Sequence, residues 1–89
     1  MAKTNDIFLD MLPSIDLHGY DRESARVAVD DFILESRMLN QKEVLIIHGI
    51  GTGIVKETVH NALSKNKSVL EYKIANNNTG CTIVKILTK

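Results

Sequence analysis

Eighty-nine residues, 44 % apolar and 25 % charged with a formal net charge of zero, describe one small globular domain rather than a disordered or fibrous chain. No apolar run nears the ~20 residues that span a bilayer, and a lone cysteine, Cys81, excludes an internal disulfide. The N-terminal stretch is broken by Asp10 and lacks a signal peptide's uninterrupted apolar segment, so a cytoplasmic protein with no membrane partner is expected.

Residues 1–13 read as an N-terminal arm ahead of a domain over 14–89. Ile7, Phe8, Leu9, Met11 and Leu12 in the arm suit docking on a core, and Pro13 stops any helix there. Ser14-Ile15-Asp16-Leu17-His18 alternates polar and apolar, the pattern of a strand with one buried face. Gly19-Tyr20-Asp21 is a turn, with Asp21 placed to cap a helix. From Arg22 to about Leu39 the apolar residues Ala25, Ala28, Val29, Phe32, Ile33 and Leu39 recur at helical spacing.

After a polar connector, Asn40 to Glu43, the run Val44 to Ile47 is continuous and apolar, as in a strand buried on both faces. Ile54 to Lys65 reads as a second helix with Ile54, Val55, Val59, Ala62 and Leu63 inward. Val69 to Ile74 alternates, placing Leu70, Tyr72 and Ile74 on one face, and Thr82 to Leu87 forms a last strand after the Asn76 to Gly80 turn cluster. The order is β-α-β-α-β-β. A helical crossover makes the first two strands parallel, and the short turn makes the last two antiparallel. The expected fold is an α/β two-layer sandwich, a four-stranded mixed sheet with two helices on one face.

Three of the five glycines crowd into Gly49, Gly51 and Gly53, directly after His48. A strand that must turn at once into a helix needs glycine's backbone freedom, and the N–H groups that open such a helix form an anion site. The spacing is neither the dinucleotide pattern nor a Walker loop, so ATP binding is disfavoured. Asp16 and His18 sit at the carboxyl end of the first strand and His48 at that of the second, which brings two imidazoles and a carboxylate to one sheet edge. Imidazole exchanges protons near neutrality, and a carboxylate fixes its tautomer. The same residues are compatible with a divalent metal, although their spacing does not require one. Asp16 is equally suited to holding its turn, and the histidines to satisfying strand ends. His60 reads as a surface residue of the second helix, and Cys81 as a small apolar strand residue.

Charge is unevenly spread. Residues 1–35 carry eight acids and three bases, and residues 36–89 the reverse. Lys56 lies one turn inside the second helix, within reach of a phosphate at its start, while Lys73 and Lys85 on the last hairpin would extend a basic track. Aromatic residues are scarce, so backbone and shape contacts would dominate over base stacking.

Ile15-Asp16-Leu17-His18-Gly19 resembles the L-D-L-H-G motif of the small MutS-related (Smr) domain family. His48-Gly49-Ile50-Gly51-Thr52-Gly53 resembles its H-G-x-G-T-G motif, and Gly80-Cys81-Thr82-Ile83-Val84 its closing G-x-T-I-V. The resemblance runs from about Ser14 to Leu87. It implies a fold similar to the C-terminal domain of bacterial translation initiation factor three, and nucleic-acid binding with, in many members, endonuclease activity on DNA or RNA. Members occur fused to MutS-like ATPases, in ribosome-associated mRNA cleavage, or alone. Carried over, it makes Asp16, His18 and His48 catalytic and gives phosphate binding to Gly49, Gly51, Thr52, Gly53, Lys56 and Lys85. The chain departs from the family at Ile50, where lysine is frequent, and at Asn77 and Asn78, where a glycine pair is frequent. The alternative expectation is a non-catalytic adaptor that binds RNA, the ribosome or a protein.

Overall fold

Six elements follow in the expected order: β1 (Ser14–Asp16), α1 (Arg22–Met38), β2 (Glu43–Ile47), α2 (Ile54–Lys65), β3 (Val69–Ala75) and β4 (Asn78–Ile86). They are those of a computed structural model that describes residues 11–50, 53–75 and 78–88. The arm residues Ile7, Phe8 and Leu9, the loop residues Gly51 and Thr52, and Asn77 lie outside the described residues. The strands form one sheet in the order β1-β2-β4-β3. β1 runs parallel to β2, with Ile15 opposite Ile46. β4 is antiparallel to both β2 and β3. Among the described residues no helix is long and apolar enough to cross a membrane.

α1 starts where Asp21 accepts the Ser24 N–H at 2.8 Å, satisfying one of the unpaired amides of a first helical turn. It stops at Asn40, whose φ is +59°. The Asn40 N–H donates to the Arg37 carbonyl and the Gln41 N–H to that of Ser36, the paired closing bonds of a Schellman turn. Ala25, Val29, Ile33 and Ser36 form the buried face of this helix. Leu39, expected inward, is 63 % exposed, because it is the cap residue at which the chain leaves the helical path.

The sheet separates two apolar layers. On the helix side Leu17, Val29, Ile33, Val44, Ile46, Val59, Leu63, Val84 and Ile86 pack together, each large aliphatic side chain contributing about 1.5–3 kcal/mol by leaving water. On the opposite face Leu45, Ala75 and Cys81 form a smaller cluster with Leu12, Ile47 and Ile83 against it. β2 is thus buried on both faces, as its unbroken apolar run requires. Cys81 is an apolar packing residue, 1 % exposed.

Strand β3 departs from simple alternation. Val69 pairs with Ile86 and Glu71 with Lys85, so the register shifts across Leu70. The extra residue bulges, which leaves Leu70 63 % exposed while Val69 and Tyr72 pack on the helix-side core.

Candidate functional site

β1 hands the chain to a turn held by its own last residue. Asp16 Oδ1 accepts the His18 backbone N–H at 3.1 Å and approaches the His18 Nδ1 at 2.6 Å. The first bond is an Asx turn, which locks the chain after the strand. The second places Nδ1–H on the carboxylate and leaves Nε2 as the outward nitrogen. One Asp16 oxygen therefore faces both the turn amide and the ring nitrogen of His18. The pair is open to solvent, with 74 % of the His18 side chain and 49 % of that of Asp16 exposed.

β2 delivers His48 to the same edge, and Gly49 explains why the two loops meet. Gly49 has a φ of +83°, and a Cβ built on it would lie 3.2 Å from the His18 Cβ. His18 thus rests on the bare Gly49 backbone. The Gly80 carbonyl accepts the N–H groups of His48 and Gly49 at 2.9 and 3.0 Å, extending the β2–β4 ladder one step beyond the Ile47–Cys81 pair. The Gly49 amide is therefore engaged by the sheet rather than held for an anion.

His48 differs from His18 in exposure and in hydrogen-bond partners. It is 3 % exposed. Its Nδ1 lies 3.0 Å from the Gly49 carbonyl and its Nε2 2.8 Å from Thr82 Oγ1. Burial pushes its pKa below the ordinary imidazole value; the Gly49 carbonyl opposes this and Lys56 adds to it. Asp16, His18 and His48 consequently do not converge as a ligand set: the first two face solvent, whereas the third is committed inward. Among the described residues no three His, Cys, Asp or Glu side chains are grouped to hold a metal.

Two neighbours of His48 escaped the sequence reading. His60, expected at the surface, is half-buried, with its Nε2 2.8 Å from the same Thr82 hydroxyl. Its ring stands edge-on to His48, centroids 5.8 Å apart, and tilts against Tyr72 at 5.3 Å. Burial lowers its pKa as well, followed by the charges of His48 and Lys56. The only local signal was a polar residue, Thr82, at an inward position of β4.

The two loops and the start of α2 enclose a cleft of about 780 Å³. His18, Arg22, Lys56 and the edge of His48 bring its nitrogen groups, and Asp21 a carboxylate; Tyr20, Ile47, Ile50, Ile54 and Val55 bring apolar surface. Ile50 is 72 % exposed, and Ile54, expected inward, is 42 % exposed because it opens the helix at the cleft. Gly53 stands at the N-cap of α2 with a φ of +85° and offers no capping side chain of its own. Lys85 does not join this site. It stands opposite Glu43, roughly 13 Å along β2 from the Ile47 end, on the sheet face away from the helices. Its ammonium pairs with Glu71 at 3.1 Å, which raises its pKa.

A family model described as the Smr domain matches residues 15–86. The endonuclease MutS2 of Streptococcus suis is 41 % identical over 73 residues, covering 79 % of this chain and 9 % of that protein. That of Clostridium acetobutylicum is 37 % identical over 76 residues, covering 82 % and 10 %. The chain thus spans about a tenth of the length of these relatives. The crystal structure of the Smr domain of Thermus thermophilus MutS2 superimposes with a TM-score of 0.81 at 28 % identity, over 84 % of this chain and 98 % of that one. YdaL, a stand-alone small MutS-related protein from Escherichia coli, gives 0.78 at 28 % identity, over 85 % and 64 %.

Proposed function

Because the chain belongs to the Smr domain family, we propose that its cleft binds a nucleic-acid backbone and that the Asp16–His18 pair promotes hydrolysis of a phosphodiester bond there. The observation that carries this reading is the exposed His18 ring, held by a carboxylate at 2.6 Å on the lip of a cleft that also presents Arg22 and Lys56. With Nδ1–H committed to Asp16, Nε2 takes a proton from the attacking water or from a ribose 2′-hydroxyl as the new bond to phosphorus forms. The imidazolium so formed is stabilised by Asp16 and returns the proton to the leaving oxygen. Lys56 holds the phosphate oxygens, beside the positive N-terminal end of the α2 dipole. His48 supports the loop from below and does not exchange protons with the substrate.

The test is turnover of end-labelled structured RNA and DNA, with and without divalent cations, by the parent, His18→Ala and Asp16→Asn. Loss of turnover in His18→Ala, with folding and binding retained, is expected; parent-like turnover in both variants would refute the role. A second reading is favoured by Ile50, which puts a 72 % exposed apolar side chain at the mouth of the cleft. In that reading the domain is an adaptor that binds RNA or a ribosome-associated partner without cleaving it. Binding then survives His18→Ala, weakens in Lys56→Glu, and no cleavage occurs with any cation.

A further inference from the structure

The hydrogen bonds around Thr82 fix a direction. The Gly49 carbonyl can only accept, so the His48 Nδ1 beside it at 3.0 Å carries a hydrogen. A neutral His48 then has a bare lone pair on Nε2, and the hydroxyl 2.8 Å away must donate to it. Thr82 has one hydrogen, and once it is given to His48 the oxygen can only accept from His60 Nε2. The chain of bonds runs one way: His60 Nε2–H to Thr82, Thr82 O–H to His48, and His48 Nδ1–H to Gly49. Thr82 is fully buried and His48 nearly so. A charged His48 would lack compensation there, beside His60 and with the Lys56 ammonium nearby.

The far end of this chain is the backbone on which His18 rests. We infer that Thr82 and His60 are positioning residues of the cleft: they hold the buried His48 ring in one tautomer and orientation, and through it fix the Gly49 backbone beneath His18. Neither touches the reacting atoms. The inference uses the reading of His18 as the proton-handling group for its activity readout alone.

Long-range proton–nitrogen correlation of the imidazoles at about pH 7.5 tests it, where histidines are largely neutral. The parent should show His48 protonated on Nδ1 and His60 on Nε2. In Thr82→Val, which keeps the shape and removes the hydroxyl, His48 Nε2 loses the nitrogen shift of a hydrogen-bonded lone pair. His60 relaxes to mixed tautomers, and the Gly49 and His18 signals move. Turnover falls about tenfold with KM within about twofold, as expected when one buried hydrogen bond positions a reacting group. Thr82→Ser, and His60→Gln relative to His60→Phe, restore the parent signals. His48 protonated on Nε2 in the parent, or Gly49 and His18 signals unmoved in Thr82→Val, overturns the inference, as does lost turnover without movement of those signals. Absence of any cleavage by the parent refutes the proposed hydrolysis instead, and the imidazole spectra still decide the positioning role. Should Thr82→Val not fold, the parent tautomers and the His60 pair decide it.

Discussion

Replacing Gly49 by alanine isolates the contact that joins the two loops. Gly19 and Gly49 share a φ of +83°, but a Cβ at Gly19 meets nothing within 4 Å, whereas one at Gly49 meets the His18 Cβ at 3.2 Å and its Cα at 3.9 Å. Forcing alanine into the left-handed region costs about 1–2 kcal/mol, offset by about 0.4–1 kcal/mol through stiffening of the unfolded chain. Gly19→Ala should therefore lose about 1 kcal/mol or less. Gly49→Ala adds an overlap that a rotamer change cannot relieve, since the opposing atom is fixed to the backbone. The turn carrying it is tied by Asp16 and by the Tyr20 N–H on the Leu17 carbonyl at 3.1 Å. Overpacking of this kind costs about 1–3 kcal/mol, for a total of about 1–4 kcal/mol, or roughly 4–30 °C in Tm for a domain of this size. Calorimetry and urea unfolding of the two alanine variants measure the difference, and His18→Gly in the Gly49→Ala background should recover the overlap part. Equal destabilisation of Gly19→Ala and Gly49→Ala would refute the packing of His18 on Gly49.

The remaining predictions concern charge, acid and the core. His48 and His60 are held below the ordinary imidazole pKa in the folded chain, so below about 6.5 the unfolded chain binds more protons. Their stabilisation is complete above about pH 6.5 and is lost as the pH falls through that value towards the lowered folded values; urea midpoints should drop with acid, and less steeply in His60→Gln. Lys56→Glu should weaken nucleic-acid binding and reduce the slope of log affinity against log salt by about 0.7–0.9, while Lys85→Glu, on the far face, leaves binding within about twofold in the same fluorescence titration. Ile33→Ala, at a fully buried position of α1, should cost about 2–5 kcal/mol in urea unfolding.

Local patterns carried most of the fold. The period of Ala25, Val29 and Ile33, the cap at Asp21 and the apolar run Val44 to Ile47 each produced the element they implied, because burial and capping act over a few residues. The Asp16–His18 pair was legible for the same reason: two residues at the end of one strand, two positions apart. Register and long-range contacts were not. The slip at Leu70 is set by pairing with β4, and alternation within β3 cannot report it. Lys85 follows the site motifs in sequence, but β4 runs away from the cleft edge, so each residue beyond Cys81 lies farther from it. His60 and Thr82 are 22 residues apart and meet only when α2 packs on the sheet. The burial of His48 follows from the same packing. A histidine next to a glycine loop reads as reactive until the hydroxyl that occupies its second nitrogen is seen.

The central claim is that nucleic acid occupies the cleft between the β1–α1 and β2–α2 loops. A titration of nitrogen-labelled protein with a short oligonucleotide, followed through backbone and imidazole signals, tests it most directly. The account predicts that His18, Gly19, Arg22, Gly53 and Lys56 shift together while Lys73 and Lys85 stay still. Shifts confined to the sheet face that carries Lys73 and Lys85, with the His18 ring unmoved, would contradict it.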